Sequence, residues 1–599
     1  MQRIIDYVKQ YIGVISVVLA VCILLTYSLS YFMVNTGNKR AAEMYVGELK
    51  YSMTIEGNST NTLSVPSGET VIDVKINNLN PVDTYYKLLY LKNSNITIKY
   101  YESTKDTNEV ITSYNKPNDS ITNSNSNIVK LLITNSSSSS QNVTLTMNGG
   151  YITNTLENVT TPSTYSEITL VETPSKNTYF CKTNDTLTQG LKYTNGQYTY
   201  GYKQEGVYSS SGLAWSNIYN NNGWGVQLTD KTSADAVTSK VCTYINNKPT
   251  VSMTYMFSNS NAKQIDTSGF DTSHVIDMNN MFFGSQATTL DLSNFNTRNV
   301  TNMAYMLDNT NASKIDVSIF DTRNVTNMAG MFQRSQATTL DVSNFDTSNV
   351  TDMKYMFVNS KATTLDLSNF DTSKVTSMEN MFYNSSAKTL DVSGFDTSNV
   401  TTMLNMFFNT QATTLDVSNF DTSKVTNMRH MFSQSKATTI DVSKFNTSNV
   451  RDMYGMFYIT SATTLDLSGF DTSKVTDMDY MFSGSQATTL DVSNFDTGNV
   501  RSMKNMFAMS KATTLDLSSF DTSKVTNMSY MFNDSTSLKT IYVSNKFNTN
   551  NVKNSINMFK GSTKLVGGAG TKYNSSYIDK TYARIDTAST PGYFTLKSN

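Results

Sequence analysis

Eleven aspartates recur at one position of a 25-residue period: Asp266, Asp291, Asp316, Asp341, Asp366, Asp391, Asp416, Asp441, Asp466, Asp491 and Asp516. Each stands among hydroxyl residues, as in Thr289-Leu290-Asp291-Leu292-Ser293. Carboxylates about 5 Å apart repel by about 0.8 kcal/mol in bulk water, so an outward row of them needs relief. Two chemistries offer it. Flanking hydroxyls can donate hydrogen bonds to the carboxylates, or cations such as Ca²⁺ can sit on an all-oxygen row. No loop cage accompanies the row, so hydroxyl relief is the expected state and a weak cation the alternative. The row still presents a repetitive polar surface, and Thr289, Asp291, Ser293, Asp341, Asp366, Asp391, Asp416, Asp441, Asp466, Asp491 and Asp516 form the first candidate ligand-binding set. Acidic residues outnumber basic ones across 251–550, which favours a basic partner.

A second candidate set comes from variation. The residues before and after each Met-Phe pair change from repeat to repeat, and Tyr355, Arg429, His430, Tyr454 and Tyr480 among them are suited to protein recognition. Catalysis finds no support. The two histidines, His274 and His430, lie in different repeats with no recurring nucleophile, and no phosphate loop or metal-ligand cluster occurs, so neither an enzyme nor a cofactor is expected. The 31 methionines fall mostly on core positions, which makes them packing filler rather than copper ligands. Of three cysteines, Cys22 lies in an apolar run, leaving Cys181 and Cys242 as one possible disulfide, with two buried thiols as the other reading.

The elements that position these residues follow from the period. Met256, Met281, Met306 and their equivalents up to Met531 keep the 25-residue register, the mark of a repeat architecture. In the unit beginning at Met356, Leu365 and Leu367 alternate with Thr364, Asp366 and Ser368, which predicts a short strand with its carboxylate outward. Val375, Met378, Met381 and Phe382 then recur at spacings of three or four, which predicts a short return helix or 3₁₀ turn. One such unit buries too little to fold alone, so neighbouring coils must stack and both ends need covers.

The rest of the chain reads as follows. Residues 1–10 form a cytoplasmic or n-region, and Tyr11–Val34 carries no charge over 24 residues, enough for a transmembrane anchor or a signal segment. Ser28-Leu29-Ser30 would suit signal cleavage, which leaves secretion as the alternative to a retained anchor. No LPxTG-type sorting signal stands near the C-terminus, which favours retention. Period-two alternation across 44–152 predicts a β-sandwich-like stalk domain. Residues 153–164 read as a linker. The Tyr/Trp-rich stretch 165–250, with Trp215 and Trp224, reads as a small β-rich cap or, less favoured, a sugar-stacking surface. About twelve coils occupy 251–560, and 561–599 close the far end. The expected fold is therefore multi-domain and mainly β: an N-terminal transmembrane helix, a β-sandwich-like module, a cap, and a right-handed leucine-rich-repeat solenoid with a parallel sheet and short helices. Formal net charge is -1, from 47 basic and 48 acidic residues, which gives no drive toward nucleic acid.

Repeated units of the form LDLSNFDTSNVTxMxxMF resemble those of the BspA-like leucine-rich-repeat surface proteins over roughly residues 251 to 560. Many family repeats carry Cys and Leu where this chain has Ser360 and Ala362, and each unit here is about one residue shorter. The resemblance implies a bacterial surface protein that adheres to host matrix proteins, host cells or other bacteria. The expected function is thus adhesion or protein–protein interaction at the cell surface, anchored to the membrane through residues 11–34. The alternative is a structural rod or spacer with carbohydrate binding confined to 165–250.

Overall fold

The computed structural model describes residues 50–81, 83–101, 114–151, 161–171, 178–204 and 222–597. The uncharged run Tyr11–Val34, most of the linker and Trp215 lie outside the described residues. These divide into two compact units: residues up to 186 together with 240–250, and residues 187–239 together with 251 onward.

In the first unit, alternating apolar residues produce strands that bury every second side chain, as in the Tyr51, Met53, Ile55 series. Its strands are β1 (Tyr51–Ile55), β2 (Thr62–Val65), β3 (Gly68–Asn78), β4 (Thr84–Leu91), β5 (Ile96–Tyr100), β6 (Asn118–Ile121), β7 (Ser126–Asn135), β8 (Gln141–Tyr151), β9 (Tyr165–Glu167), β10 (Thr169–Leu170) and β11 (Phe180–Cys181). One sheet runs β1-β3-β7-β5-β10 and another β2-β8-β4-β6, with β9 paired to β4. A single apolar cluster drawn from both sheets, including Ile76, Tyr86, Leu131 and Leu145, fills the space between them. Three strands of the second unit intervene in the chain: β12 (Lys192–Asn195), β13 (Tyr198–Tyr202) and β14 (Trp224–Leu228). The chain then forms β15 (Tyr244–Ile245) and β16 (Lys248–Ser252), an antiparallel hairpin. Its two-residue turn holds Asn246 and Asn247 at φ 47° and 60°, the left-handed pair that a tight hairpin needs and that Asn tolerates. β11 pairs in parallel with β15, and a disulfide joins Cys181 to Cys242.

In the second unit, β12, β13 and β14 form an antiparallel meander. Its Trp224, Tyr198 and Tyr200 are buried, and Tyr198 meets Phe257 of the first coil edge to face. The Leu228 amide donates to the Met256 carbonyl at 3.1 Å and Gln227 Nε2 to the Thr254 carbonyl at 2.9 Å. These bonds occupy the outer edge of the first coil. Residues 165–250 thus contribute to both units.

Each subsequent coil repeats the one before it. Phe357, Phe382, Phe407, Phe432 and Phe457 stack face to face at 5.6 to 5.7 Å between ring centres. Buried threonines run alongside: the Thr372 hydroxyl donates to the Asp396 carbonyl of the next coil at 2.8 Å, so a polar row inside the coil is satisfied. At the far end β21 (Thr514–Leu517), β22 (Thr540–Val543) and β23 (Phe594–Leu596) make a three-stranded parallel sheet once the short strands β17 (Thr364–Leu365), β18 (Thr389–Leu390), β19 (Thr414–Leu415) and β20 (Thr439–Ile440) have been passed. Phe594 closes this end against Phe547 and Phe559.

The architecture corrects the expected one. The described residues are mainly β and divided among several sheets, not a helix-bearing anchor followed by a leucine-rich-repeat solenoid of strands and helices. The one helix among them is the three-residue 3₁₀ segment Lys580–Tyr582, and no helix among them is long and apolar enough to cross a membrane. The expected return helices are turns. Two residues per coil hold left-handed backbone, as at Tyr355 (φ 62°) and Asn359 (φ 51°) or Asn380 (φ 56°) and Asn384 (φ 53°), and a left-handed residue every fourth position cannot sit in a right-handed helix. The expected continuous sheet is broken as well. β17 pairs only with β18 and β19 only with β20 as named strands, and other coils meet through isolated bridges. A local turn follows each short strand: the Ser368 amide donates to Asp366 Oδ1, just beyond the two residues of β17.

Candidate functional site

The aspartate row lies where the period places it, on the outward side of the short strands. Thr364 and Leu365 pair with Thr389 and Leu390 of the next coil, which brings Asp341, Asp366 and Asp391 together around a shallow groove of about 490 Å³. Thr289, Asp291 and Ser293 are exposed in the same positions of their coil. Each carboxylate is committed to its own turn. The Ser393 amide and hydroxyl both donate to Asp391 Oδ1, at 3.0 and 2.6 Å. The same pair of bonds holds Asp341, Asp416, Asp441, Asp466 and Asp491. These donors hold Asp291, Asp366, Asp391, Asp416, Asp441 and Asp466 below the usual carboxylate range. Asp516 differs, since Lys597 reaches it at 2.9 Å. Among the described residues no group of three or more histidines, cysteines or carboxylates is arranged to hold a metal ion.

The next row resolves a pattern in the sequence. Asn and Lys alternate at residues 349, 374, 399, 424, 449, 474, 499 and 524. Lys424 Nζ donates to Asn399 Oδ1 of the preceding coil at 2.7 Å, while Asn399 Nδ2 donates to the Ser373 carbonyl one coil earlier at 2.8 Å. Lys374, Lys474 and Lys524 repeat the contact. Where the two alternate they form a donor–acceptor ladder, and two lysines in succession would repel; the successive Asn299, Asn324 and Asn349 bridge to the preceding coil through its backbone carbonyls.

The variable wall is different in texture. Tyr383 and Phe408 stack at 4.6 Å, His430 meets Phe408 at 5.8 Å and Tyr454 at 5.0 Å, and Tyr454 meets Tyr480 at 5.4 Å. The Arg429 guanidinium lies 3.9 Å over the Tyr454 ring, and Lys504 Nζ 5.7 Å over Tyr480. Arg429, His430, Tyr454 and Tyr480 therefore form one half-buried strip across successive coils. Burial pushes His430 below its ordinary value, with Arg429 adding to the effect, so the imidazole is neutral near pH 7.

Tyr355 belongs to a second cluster on the same wall. Its hydroxyl donates to Glu379 at 2.8 Å, and burial first, then Glu379, pushes the phenol up to about 12. Nearby, Arg334 makes two bonds to Asp308, at 3.0 and 2.9 Å. The Asp308 side chain is 1% exposed and that of Arg334 41%. Burial raises the Asp308 carboxyl despite the guanidinium. Tyr255, Tyr305, Asp308, Arg334 and Tyr355 line a cleft of about 800 Å³.

Tyr255, Tyr305, Tyr355, His430, Tyr480 and Tyr530 share a backbone feature. All six hold left-handed φ, between 53° and 62°. The equivalent residue in other coils is Asn or Gly, as at Asn380, Gly330 and Gly455, which adopt this conformation at lower cost. Gly330 and Gly455 have a further reason: a Cβ there would strike the Tyr305 ring at 2.2 Å and the His430 ring at 2.5 Å. A ring in one coil thus lies over a glycine in the next.

The family model of "Mycoplasma protein of unknown function, DUF285" matches the chain four times, over residues 251–370, 307–412, 358–470 and 459–572. Together these span 251–572, more than half of the chain. The chain belongs to this family. The DUF285 matches coincide with the stacked coils that carry the wall and the aspartate row in this chain. No curated protein and no solved structure matches the chain.

Sequence reasoning placed Tyr355, Arg429, His430, Tyr454 and Tyr480 on the wall but did not join them to Tyr305, Asp308, Arg334, Glu379, Tyr383 or Phe408. The signal was present at a separation of 24 to 26 residues, as between Tyr355 and Glu379, Tyr383 and Phe408, or Asp308 and Arg334. Of the aromatic residues that suggested a sugar platform in 165–250, Trp224 is fully buried and Trp215 lies outside the described residues.

Proposed function

We propose that the coil array binds another protein through the aromatic and cationic strip around Arg429, His430, Tyr454 and Tyr480, at the cell surface. The partner is a host extracellular-matrix or cell-surface protein, or the surface of another bacterium. One observation carries the reading: Tyr and His occupy left-handed positions that Asn or Gly fill elsewhere in the same array. A left-handed non-glycine residue costs roughly 1–2 kcal/mol, so rings kept there at a cost to folding are kept for what they contact. Tyr and Arg, already packed and partly dehydrated, are the residue types that dominate protein interfaces. The histidine packs between rings rather than beside a nucleophile, which fits binding and not catalysis.

Three further features support the setting. The Cys181–Cys242 disulfide belongs in an oxidising compartment. The uncharged run Tyr11–Val34 suits attachment to a membrane. The repeats resemble those of BspA-like surface proteins.

The test uses the full chain against a panel of extracellular-matrix proteins. Arg429→Ala with Tyr454→Ala is expected to weaken binding by about thirtyfold or more, the scale of a central hot spot. Tyr480→Asn is expected to weaken it while changing stability by less than about 1 kcal/mol. If these variants bind like wild type and Asp391→Ala with Asp416→Ala does not, the site lies on the aspartate row and the wall reading is abandoned.

A further inference from the structure

The first compact unit contains a reactive constellation that binding by the coils does not use. Lys130 on β7 stands opposite Asp73 on β3. Strand alternation points Val129, Leu131 and Ile133 into the core between the sheets, so Lys130 belongs to the opposite face, where water is expected. Its side chain is nonetheless 2% exposed. A second apolar cluster, with Tyr101, Tyr114, Phe180 and Tyr244, covers that face, and Lys130 Nζ lies 4.7 Å from the centres of both the Tyr114 and Phe180 rings.

Within this cage Nζ donates to Asp73 Oδ1 at 2.5 Å and to Asn247 Oδ1 at 2.6 Å. The Asn247 amide is held in turn. Its Nδ2 donates to Glu56 Oε1 at 2.8 Å, and the same oxygen accepts the Asp73 amide at 2.7 Å. Asp73 alone would satisfy a buried lysine. What the geometry adds is a side-chain amide pressed against the amine, a carboxylate on the amine and a second carboxylate on the amide nitrogen.

We propose that Lys130 and Asn247 join in an intramolecular isopeptide bond. The Lys130 ammonium gives one proton to the Asp73 carboxylate, and the freed lone pair adds to Cγ of Asn247, forming the new N–C bond. Collapse of the tetrahedral adduct breaks the Cγ–Nδ2 bond. Nδ2 takes a second proton from Nζ, relayed by Glu56, and leaves as ammonia, which carries off the proton held by Asp73 as ammonium. Both carboxylates are regenerated, and no oxidant or co-substrate is consumed. Burial pushes the Lys130 ammonium toward the neutral amine, against the opposing pull of Asp73, which favours the nucleophilic form. Contact between the reacting groups supplies the rest: well-oriented intramolecular reactions reach effective concentrations of about 10⁵–10⁸ M.

The bond would tie β7 to the β15–β16 turn across 117 residues. The disulfide fastens the same hairpin to β11. Unlike the disulfide, an amide survives reduction.

The experiment is peptide mapping of the full chain after reduction and alkylation of its cysteines. The expected product is a branched peptide joined through Lys130 and Asn247, lighter than its two parts by one ammonia, with complete loss of tryptic cleavage after Lys130. Asn247→Ala should restore that cleavage, and Glu56→Gln should slow formation at least tenfold while the circular dichroism spectrum stays unchanged. An unmodified Lys130 peptide from folded wild type overturns the proposal. So does a link to Asp73, recognisable as the loss of one water.

Discussion

Two sets of carboxylates in the same array are held in opposite directions. On the strand side, Asp366, Asp391, Asp416 and Asp441 lie below the usual carboxylate range because a serine hydroxyl and a backbone amide donate to each. On the wall, Asp308, Asp477 and Asp479 lie above it because burial outweighs their hydrogen bonds. Strand-side charges face water and have their partners two residues away, so they shape turns. The wall has already lost part of its hydration in the free protein, and a partner docking there has less water left to strip from its charges. Repetition and variation thus divide the labour of one 25-residue unit: the repeated positions build the coil and the variable ones create a surface.

The largest expected effect comes from breaking the repeated part. Phe407 is fully buried between Phe382 and Phe432, each 5.7 Å away. Phe407→Ala should cost about 3–5 kcal/mol, read as a drop in the denaturation midpoint. Thr372→Val keeps the volume but removes the donor to the Asp396 carbonyl at a part-buried contact, and loss of such a hydrogen bond costs about 0.5–1.5 kcal/mol. On the wall, Arg334→Ala deprives Asp308 of both its bonds. Because the arginine is substantially exposed, roughly 1 kcal/mol is expected. If Arg334→Ala proved as costly as Phe407→Ala, the wall would be part of the scaffold and the division above would fail.

Opposite pKa shifts also give opposite pH dependence. A strand-side aspartate with a lowered folded value stabilises the fold above its unfolded value, near 3.8, and the contribution is lost as pH falls through the folded value. A wall aspartate with a raised folded value costs stability at neutral pH, and the cost is relieved as pH falls through that raised value. His430, held below 6.5, costs stability once pH drops beneath that unfolded value. The double variant Asp477→Asn with Asp479→Asn isolates the wall term. It should be more stable than wild type at pH 7, and the gap should close as pH falls through the raised values toward the unfolded one near 3.8, which thermal melts at matched ionic strength would show. A gap that widens on acidification would place those carboxylates in a stabilising role.

The coil stack was legible in the sequence because one-dimensional repetition writes each contact at a fixed separation. Met-Phe, Leu-x-Leu and Phe-Asp-Thr declare their burial directly. The path of the backbone between them was not legible. A spacing of three or four at Val375, Met378, Met381 and Phe382 is shared by a helix and by a tight series of turns, and the left-handed residues that decide the matter include Tyr and His beside Asn and Gly. In the first unit, alternation predicted the strands, but nothing local announced that Lys130 and Asn247 meet. That contact depends on a hairpin whose turn is set by Asn246 and Asn247 and whose position is fixed by long-range pairing. The wall clusters lie between these extremes, since their members are one coil apart yet differ in residue type from coil to coil.

The smallest effect sharpens the comparison most. Asp391→Asn keeps an oxygen in place to accept from Ser393, as Asn446 does for Ser448 in the neighbouring aspartate series. It removes one charge from a row in which Asp366 raises the Asp391 carboxyl and Asp391 in turn raises that of Asp416. Loss of repulsion and loss of a charge-assisted acceptor oppose each other at an exposed site, so the net change should stay within about 0.5 kcal/mol. What remains should favour the asparagine at low ionic strength and vanish near 1 M salt, where the screening length is about 3 Å. Asp391→Ala removes the acceptor as well and should cost roughly 1 kcal/mol, the worth of a capping side chain. If the row held cations instead, the asparagine variant would lose a ligand, chelator would lower the melting temperature of wild type alone, and Ca²⁺ would restore it. Melting curves of the two proteins with and without chelator separate the cases, because a row relieved by serine hydroxyls is indifferent to both additions.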